Sequence, residues 1–185
     1  MNISIALLRG INVGGNNIIK METLRKVLTD AGLEDVATYI QSGNIVFRHK
    51  KTLNNAGCAA LIASVIKEQF GLTIPVIVRS AAEWEQILSG NPYAAGGKTD
   101  AENWHYMMLS EVPAADLIPA IDQTLYLPDL FEPVGPNVYL HITKFGNTKL
   151  ANTLFDKKWK VVSTVRNHKT MLAITALVDK LKTLP

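Results

Sequence analysis

Ile3-Ser4-Ile5-Ala6-Leu7-Leu8 is an apolar run, and Arg9-Gly10-Ile11-Asn12-Val13-Gly14-Gly15-Asn16-Asn17 breaks it into a loop that ends near Lys20. From Met21 the pattern turns helical: Met21, Leu24, Val27, Leu28 and Ala31 recur on one face, and Gly32 stands where a C-cap belongs. Strand, glycine loop, helix is a setting in which main-chain N–H groups can face an anion. The three glycines let backbone approach a ligand, the three asparagines tolerate left-handed geometry, and no acid occurs before Glu22. The stricter phosphate templates fail. Gly10 and Gly15 have the spacing of a phosphate loop, but Asn16-Asn17 replaces the Lys and Ser/Thr that would reach phosphates and magnesium. The dinucleotide fingerprint G-x-G-x-x-G is missing as well. The alternative reading is a long strand-to-helix connection whose glycines serve only its turns.

Working outward, Thr38–Ile40 and Ile45–Phe47 read as short strands joined by Gln41-Ser42-Gly43-Asn44. Ile62, Val65, Ile66 and Phe70 mark a second helix closed by Gly71, and 74–78 reads as a strand. Pro75 near its start points to a sheet edge. Ser80 with Glu83 forms a capping box ahead of Trp84, Ile87 and Leu88. The order is β-α-β-β-α-β plus a trailing helix. It recurs in the second half: strands at 104–109, 130–134, 138–142 and 161–165, helical faces at Leu117-Ile118-Ile121-Leu125 and Leu150-Ala151-Leu154-Phe155, and a closing helix marked by Met171, Ile174, Val178 and Leu181. The expected fold class is therefore α+β, with two tandem ferredoxin-like (βαββαβ) units and an extra helix after each. Residues 1–92 and 103–185 form the halves, and 93–102, rich in Gly and Ala, the connector.

In that topology the end of strand 1 and the strand 2–3 hairpin share one sheet edge. Arg9, Gly10, Asn12, Gly14, Gly15 and Lys20 are thus expected beside Gln41, Ser42, Gly43 and Asn44. In the second half the ends of strands 3 and 4 share an edge, which brings the segment ending in Lys149 toward Arg166 and Asn167. These thirteen residues are the candidate ligand set. Arg9 and Arg166 end apolar strands, where a guanidinium can grip phosphate or carboxylate in bidentate fashion, or staple a loop through an internal ion pair.

The same segments resemble a bacterial family catalogued as domain of unknown function 1697. Its pattern of strand, L-L-R-G-I-N-V-G-G, K-M and Y-I-Q-S-G-N-V-V-F is matched by Leu7–Gly15, Lys20-Met21 and Tyr39–Phe47. A C-terminal pattern S-K-L, then T-R-N-W-N-T, is matched by Thr148-Lys149-Leu150 and Thr164–Thr170, where the Trp and second Asn positions differ. The resemblance implies the duplicated ferredoxin-like fold. It implies no activity, because the family is uncharacterised.

The remaining chemistry is sparse. With 185 residues, 48% of them apolar and 19% charged, the composition is that of an ordinary globular protein, with no apolar run of membrane-spanning length. A signal peptide is not indicated, and the lone Cys58 has no internal disulfide partner, so the cytoplasm is the expected location. His49, His105, His141 and His168 are scattered, so neither a metal site nor a cofactor is expected. Cys58, among small apolar residues, reads as a buried structural thiol. Ser42 lacks the G-x-S-x-G elbow of a hydrolase, and catalytic residues and oligomeric state stay open.

The function expected from these residues is binding of an anionic, phosphate-bearing small molecule. The runner-up is a nucleic-acid module: residues 101–140 carry a net charge of −6 and 141–185 a net +7. That asymmetry equally fits two adjoining parts of one domain that neutralise each other. The nucleic-acid reading predicts an affinity for RNA or DNA that falls steeply with salt. A titration at several ionic strengths that finds no such affinity removes it.

Overall fold

In a computed structural model, which describes residues 1–97 and 99–184, the chain forms two four-stranded antiparallel sheets, each with its own buried core. Contacts divide it into one unit of Met1–Gln86 with the stretch from Ala173 onward, and a second of Ile87–Leu172. The architecture is mixed α+β, as expected. No helix of the described residues is long and apolar enough to cross a membrane.

The first unit begins with β1 (Asn2–Leu8), α1 (Met21–Asp30), β2 (Glu34–Tyr39) and β3 (Asn44–His49). It continues with α2 (Asn55–Phe70), β4 (Val76–Ser80) and the start of α3 (Ala81–Ser89). The sheet order is β2-β3-β1-β4. β1 is therefore interior, with Ser4 opposite Phe47 on one side and Ser80 on the other. β4 is an edge strand, as Pro75 implied, and the Pro75 carbonyl accepts the Arg9 N–H at 3.1 Å. Alternation along the strands sends Ala6, Leu8, Ile45, Phe47 and Val78 onto a core with Leu24, Leu28, Ile62 and Ile66. Cys58 is buried in that core, and burial pushes its thiol up, which keeps it protonated and inert.

Local chemistry sets the element ends. α1 stops where Gly32 turns left-handed (φ +93°), with the Leu33 N–H closing onto the Leu28 carbonyl. α3 starts on the capping box read from the sequence: Glu83 Oε2 accepts from Ser80 N and Oγ at 2.7 Å each, and Ser80 Oγ accepts from Glu83 N at 3.2 Å.

The second unit follows α4 (Pro92–Ala95) with β5 (Trp104–Leu109), β6 (Leu130–Val134), β7 (Asn137–His141), α5 (Asn152–Trp159) and β8 (Ser163–Asn167). Its sheet order is β6-β7-β5-β8. α6 (His168–Thr183) passes from this unit into the first at Ala173. Phe131, Phe155 and Trp159 pack edge to face in its core.

One element differs from expectation. The face Leu117-Ile118-Ile121-Leu125 is not an α-helix but two 3-10 turns, Ile118–Ala120 and Gln123–Tyr126. Asp122 accounts for the break: Oδ1 accepts from the Thr124 N–H at 2.9 Å and its hydroxyl at 2.7 Å, a local capture that competes with helix propagation. Leu125 ends 72% exposed, whereas Ile121 stays in the core.

Burial works against the charge of the Glu83 carboxyl, but the hydrogen bonds from Ser80 and Asn55 and the nearby Arg79 charge outweigh it and hold the carboxyl below its ordinary range. Glu83→Ala is expected to cost about 1 kcal/mol near neutral pH. Because the folded carboxyl has the lowered pKa, its stabilisation is present above the ordinary value of 4.5 and is lost as pH falls through the folded value. Denaturant titrations of the two proteins should therefore converge on acidification.

Candidate functional site

Topology does bring the two N-terminal segments together. The Leu8 N–H donates to the Gly43 carbonyl at 2.8 Å, so the exit of β1 is fastened to the β2–β3 hairpin. Beyond it the chain makes an exposed loop with left-handed backbone at Gly10, Asn12, Gly14, Gly15 and Asn17. Gly14-Gly15 is the tip of a tiny hairpin, closed by Asn16 N–H to the Val13 carbonyl at 3.0 Å.

The asparagines serve the loop itself. Asn12 Nδ2 donates to the Ile19 carbonyl at 3.0 Å and the Gln41 carbonyl at 2.8 Å, and its Oδ1 accepts from the Ile19 N–H at 2.8 Å. One carboxamide thus clamps both ends of the loop to the hairpin. Asn17 Nδ2 donates to the Gly10 carbonyl at 2.9 Å. Asn44 is fully buried and donates to the Tyr39 carbonyl at 3.2 Å and to Ser42 Oγ at 3.1 Å. Ile11 and Ile19 anchor the loop in the core.

Gly43 has a different reason to be glycine than the loop residues. Its φ is +74°, and a Cβ there would stand 2.6 Å from Leu8 Cβ and 3.0 Å from Ile11 Cδ1. At Gly10 and Gly15 a Cβ would meet nothing within 4 Å. Those two positions need glycine for conformation, and they leave main chain open to approach. Next to the hairpin, Ile40 adopts φ +47° while 53% exposed, an uncommon state for a β-branched residue. Lys20 and Gln41 are exposed and Arg9 half-buried.

In the second unit the predicted residues are less concentrated. His105 pairs in register with Asn167 and stacks on Phe145 at 4.5 Å, so the 144–149 loop and the end of β8 do share a sheet end. Lys149 lines a small cavity of about 200 Å³ with Leu125–Asp129; Arg166 and Asn167 do not. Asn167 caps α6, accepting the Thr170 N–H at 2.9 Å. Arg166 donates to Thr164 Oγ1 at 2.7 Å and the Val165 carbonyl at 2.8 Å. Burial pushes its guanidinium down to about 10. Tyr106 and Tyr139 are buried, and the Tyr106 hydroxyl is engaged by Asn91 and His168 at 2.9 Å each.

Sequence reasoning missed a larger cavity. It measures about 840 Å³ and lies at the opposite end of β1, lined by Ser4, His49, Lys51, Asn55, Ala82 and Glu83 among others. Ser4 Oγ stands 3.0 Å from His49 Nε2. The pair is 45 residues apart in sequence, inside segments that read as plain strand, so only cross-strand register reveals it. No group of three or more His, Cys, Asp or Glu among the described residues is arranged to hold a metal ion.

The family model described as a protein of unknown function (DUF1697) matches residues 1–139. Among solved structures, the chain is similar to the conserved bacterial protein SP0830 from Streptococcus pneumoniae. The two are 24% identical with a TM-score of 0.73, over 96% of this chain and 98% of that one. At that identity the likeness speaks of the fold alone. No curated protein matches.

The clamp and the open surface separate by mutation. Asn12→Ala removes three hydrogen bonds and is expected to cost about 2–3 kcal/mol. Gly43→Ala is expected to cost about 2–4 kcal/mol, from left-handed strain and overpacking. Lys20→Ala should stay within about 0.5 kcal/mol. Urea melts of the three variants measure this ordering.

Proposed function

The chain belongs to DUF1697, a family of unknown function, so its activity has to be argued from its own residues, and we propose that it binds a small anionic, phosphate-bearing molecule at the corner where the glycine loop meets the β2–β3 hairpin. The observation that carries this reading is the open, left-handed main chain of Gly10, Gly14 and Gly15, held in place by the Asn12 clamp. A loop fixed before the ligand arrives loses little entropy on binding. Left-handed glycine backbone presents N–H groups in the manner of an anion-binding nest. Arg9 and Lys20 supply positive charge at either end of the loop, and no carboxylate occurs in the chain before Glu22.

In this reading the residues divide by task. Asn12, Gly43 and Asn44 position the loop and hairpin. Gly10, Gly14, Gly15, Lys20, Gln41 and Ser42, with Arg9, face the ligand. Lys149, Arg166 and Asn167 belong to the second unit, and the proposed binding corner is built from the first unit alone. We also read each half as a ferredoxin-like unit. The antiparallel orders β2-β3-β1-β4 and β6-β7-β5-β8 support that assignment, with two 3-10 turns standing in for the first helix of the second half.

A thermal-shift screen of nucleotides and sugar phosphates tests the binding proposal. A true ligand at a hundredfold its Kd stabilises by about 2.7 kcal/mol, a rise of roughly 5–10 °C for a protein of this size. The rise should vanish in Arg9→Ala and Lys20→Ala. A broad library with no hit overturns the reading.

A further inference from the structure

The cavity at the start of β1 holds a side-chain pair that the anion-binding proposal does not use. Ser4 and His49 sit on adjacent strands, β1 and β3, on the face that packs against the helices. Ser4 is in register with Phe47, and His49 lies two residues further along, a cross-strand diagonal. Both are almost fully buried, at 1% and 2% exposure, yet both line the 840 Å³ cavity.

In a neutral imidazole the hydrogen bonds of the pair select the tautomer. His49 Nδ1 stands 3.0 Å from the Lys50 carbonyl, which can only accept, so Nδ1 carries the ring proton of the neutral imidazole. Nε2 is then the bare nitrogen, and the Ser4 hydroxyl, 3.0 Å away, donates to it. A hydroxyl bonded to an imidazole that a third group orients is the arrangement of an activated nucleophile and its base. The heavy-atom separation falls within the working range of about 2.6–3.2 Å.

Two helix starts border the same cavity. Ser4 is paired with Ser80, the residue immediately before α3, so the first turn of α3 rises beside it. Asn54 caps α2 on another wall, its Oδ1 accepting from the Gly57 N–H at 2.8 Å. That leaves the earlier first-turn N–H groups of Asn55 and Ala56, and of Ala81 and Ala82, without intrahelical partners at the cavity wall. The Glu83 carboxylate shares this wall, but Ser80 and Asn55 engage its Oε2.

We infer that Ser4 and His49 are a nucleophile–base pair that hydrolyses small carboxylic esters in this cavity. Ser4 Oγ adds to the carbonyl carbon as its proton passes to His49 Nε2. The tetrahedral adduct collapses by breaking the bond to the alkoxy oxygen, which takes the proton from Nε2 and leaves as the alcohol. Water then adds to the acyl carbon, giving its proton to Nε2, and the acid leaves as that proton returns to Ser4 Oγ. Nothing is oxidised or reduced, and one water is consumed for each ester cleaved.

The full chain treated with a fluorophosphonate tests this directly. Peptide mass mapping of the wild-type protein should find the phosphonyl adduct on Ser4, and protein unfolded in urea should lose it. Ser4→Ala should lose both the adduct and turnover of p-nitrophenyl acetate, while Ser64→Ala, on the exposed side of α2, keeps both. Folded His49→Gln should label about a hundredfold more slowly. If His49→Gln fails to fold, His49→Asn replaces it, with the same slowing expected. No adduct on Ser4 in native protein, or labelling that a folded His49 variant leaves unchanged, overturns the inference.

Discussion

β1 is hydrogen-bonded along both edges, to β3 and to β4, and every feature of chemical interest in the first unit hangs from that constraint. An interior strand has no freedom in register, because a slip of one residue would move Ala6 and Leu8 from the core to the opposite face. Both of its ends therefore have fixed neighbours. At the C-terminal end Leu8 is fastened to Gly43, which seats the glycine loop on the hairpin. At the N-terminal end Ser4 is held between β3 and Ser80, which sets its hydroxyl against His49. Leu8 is four residue steps along the strand from Ser4, about 13 Å, so the two candidate sites share a scaffold and not a surface.

The pairing of distant segments was legible because it follows from connectivity. Once β1 and β2 flank β3, the loop after Leu8 and the residues 41–44 must meet. The chemistry at the meeting point was not legible to the same degree. The sequence counts three asparagines in a loop. Whether their amides face a ligand or the backbone depends on which carbonyls fold within reach, and for Asn12 those belong to Ile19 and Gln41, 7 and 29 residues away. The helix expected from Leu117 to Leu125 failed for a related reason. Apolar periodicity registers the face a helix would bury, but not the Asp122 carboxylate that captures the Thr124 amide and breaks the run. The capping box at Ser80 and Glu83 was read correctly because all its partners lie within three residues.

The Ser4–His49 pair marks the limit of periodicity. Ser4 sits inside an apolar run whose reading as a strand is correct, and that reading hides it. Parity is the signal that finds it. Ser4 shares the face of Ala6 and Leu8, and His49 the face of Ile45 and Phe47, so two polar residues occupy rows otherwise given to the core. A buried polar side chain has to find a partner, and two in adjacent rows find each other. The arithmetic needs the register of β1 against β3, which the apolar pattern alone does not set to the residue.

These assignments change what the family signature can mean. The segments matching the DUF1697 pattern at 7–15 and 39–47 contain Asn12, Gly43 and Asn44. Each has a sufficient structural reason for its identity: a three-bond clamp, a contact with no room for a Cβ, and a fully buried amide engaging Tyr39 and Ser42. A motif built from such residues specifies a loop geometry before it specifies a ligand. In the proposed reading, chemistry at that corner resides in the open glycine backbone with Arg9, Lys20, Gln41 and Ser42. Ser4 on β1 and His49 on β3 both lie outside those two segments. Membership in the family thus argues strongly for the corner's shape, while the case for chemistry at the other end of β1 rests on register, hydrogen bonding and the cavity alone.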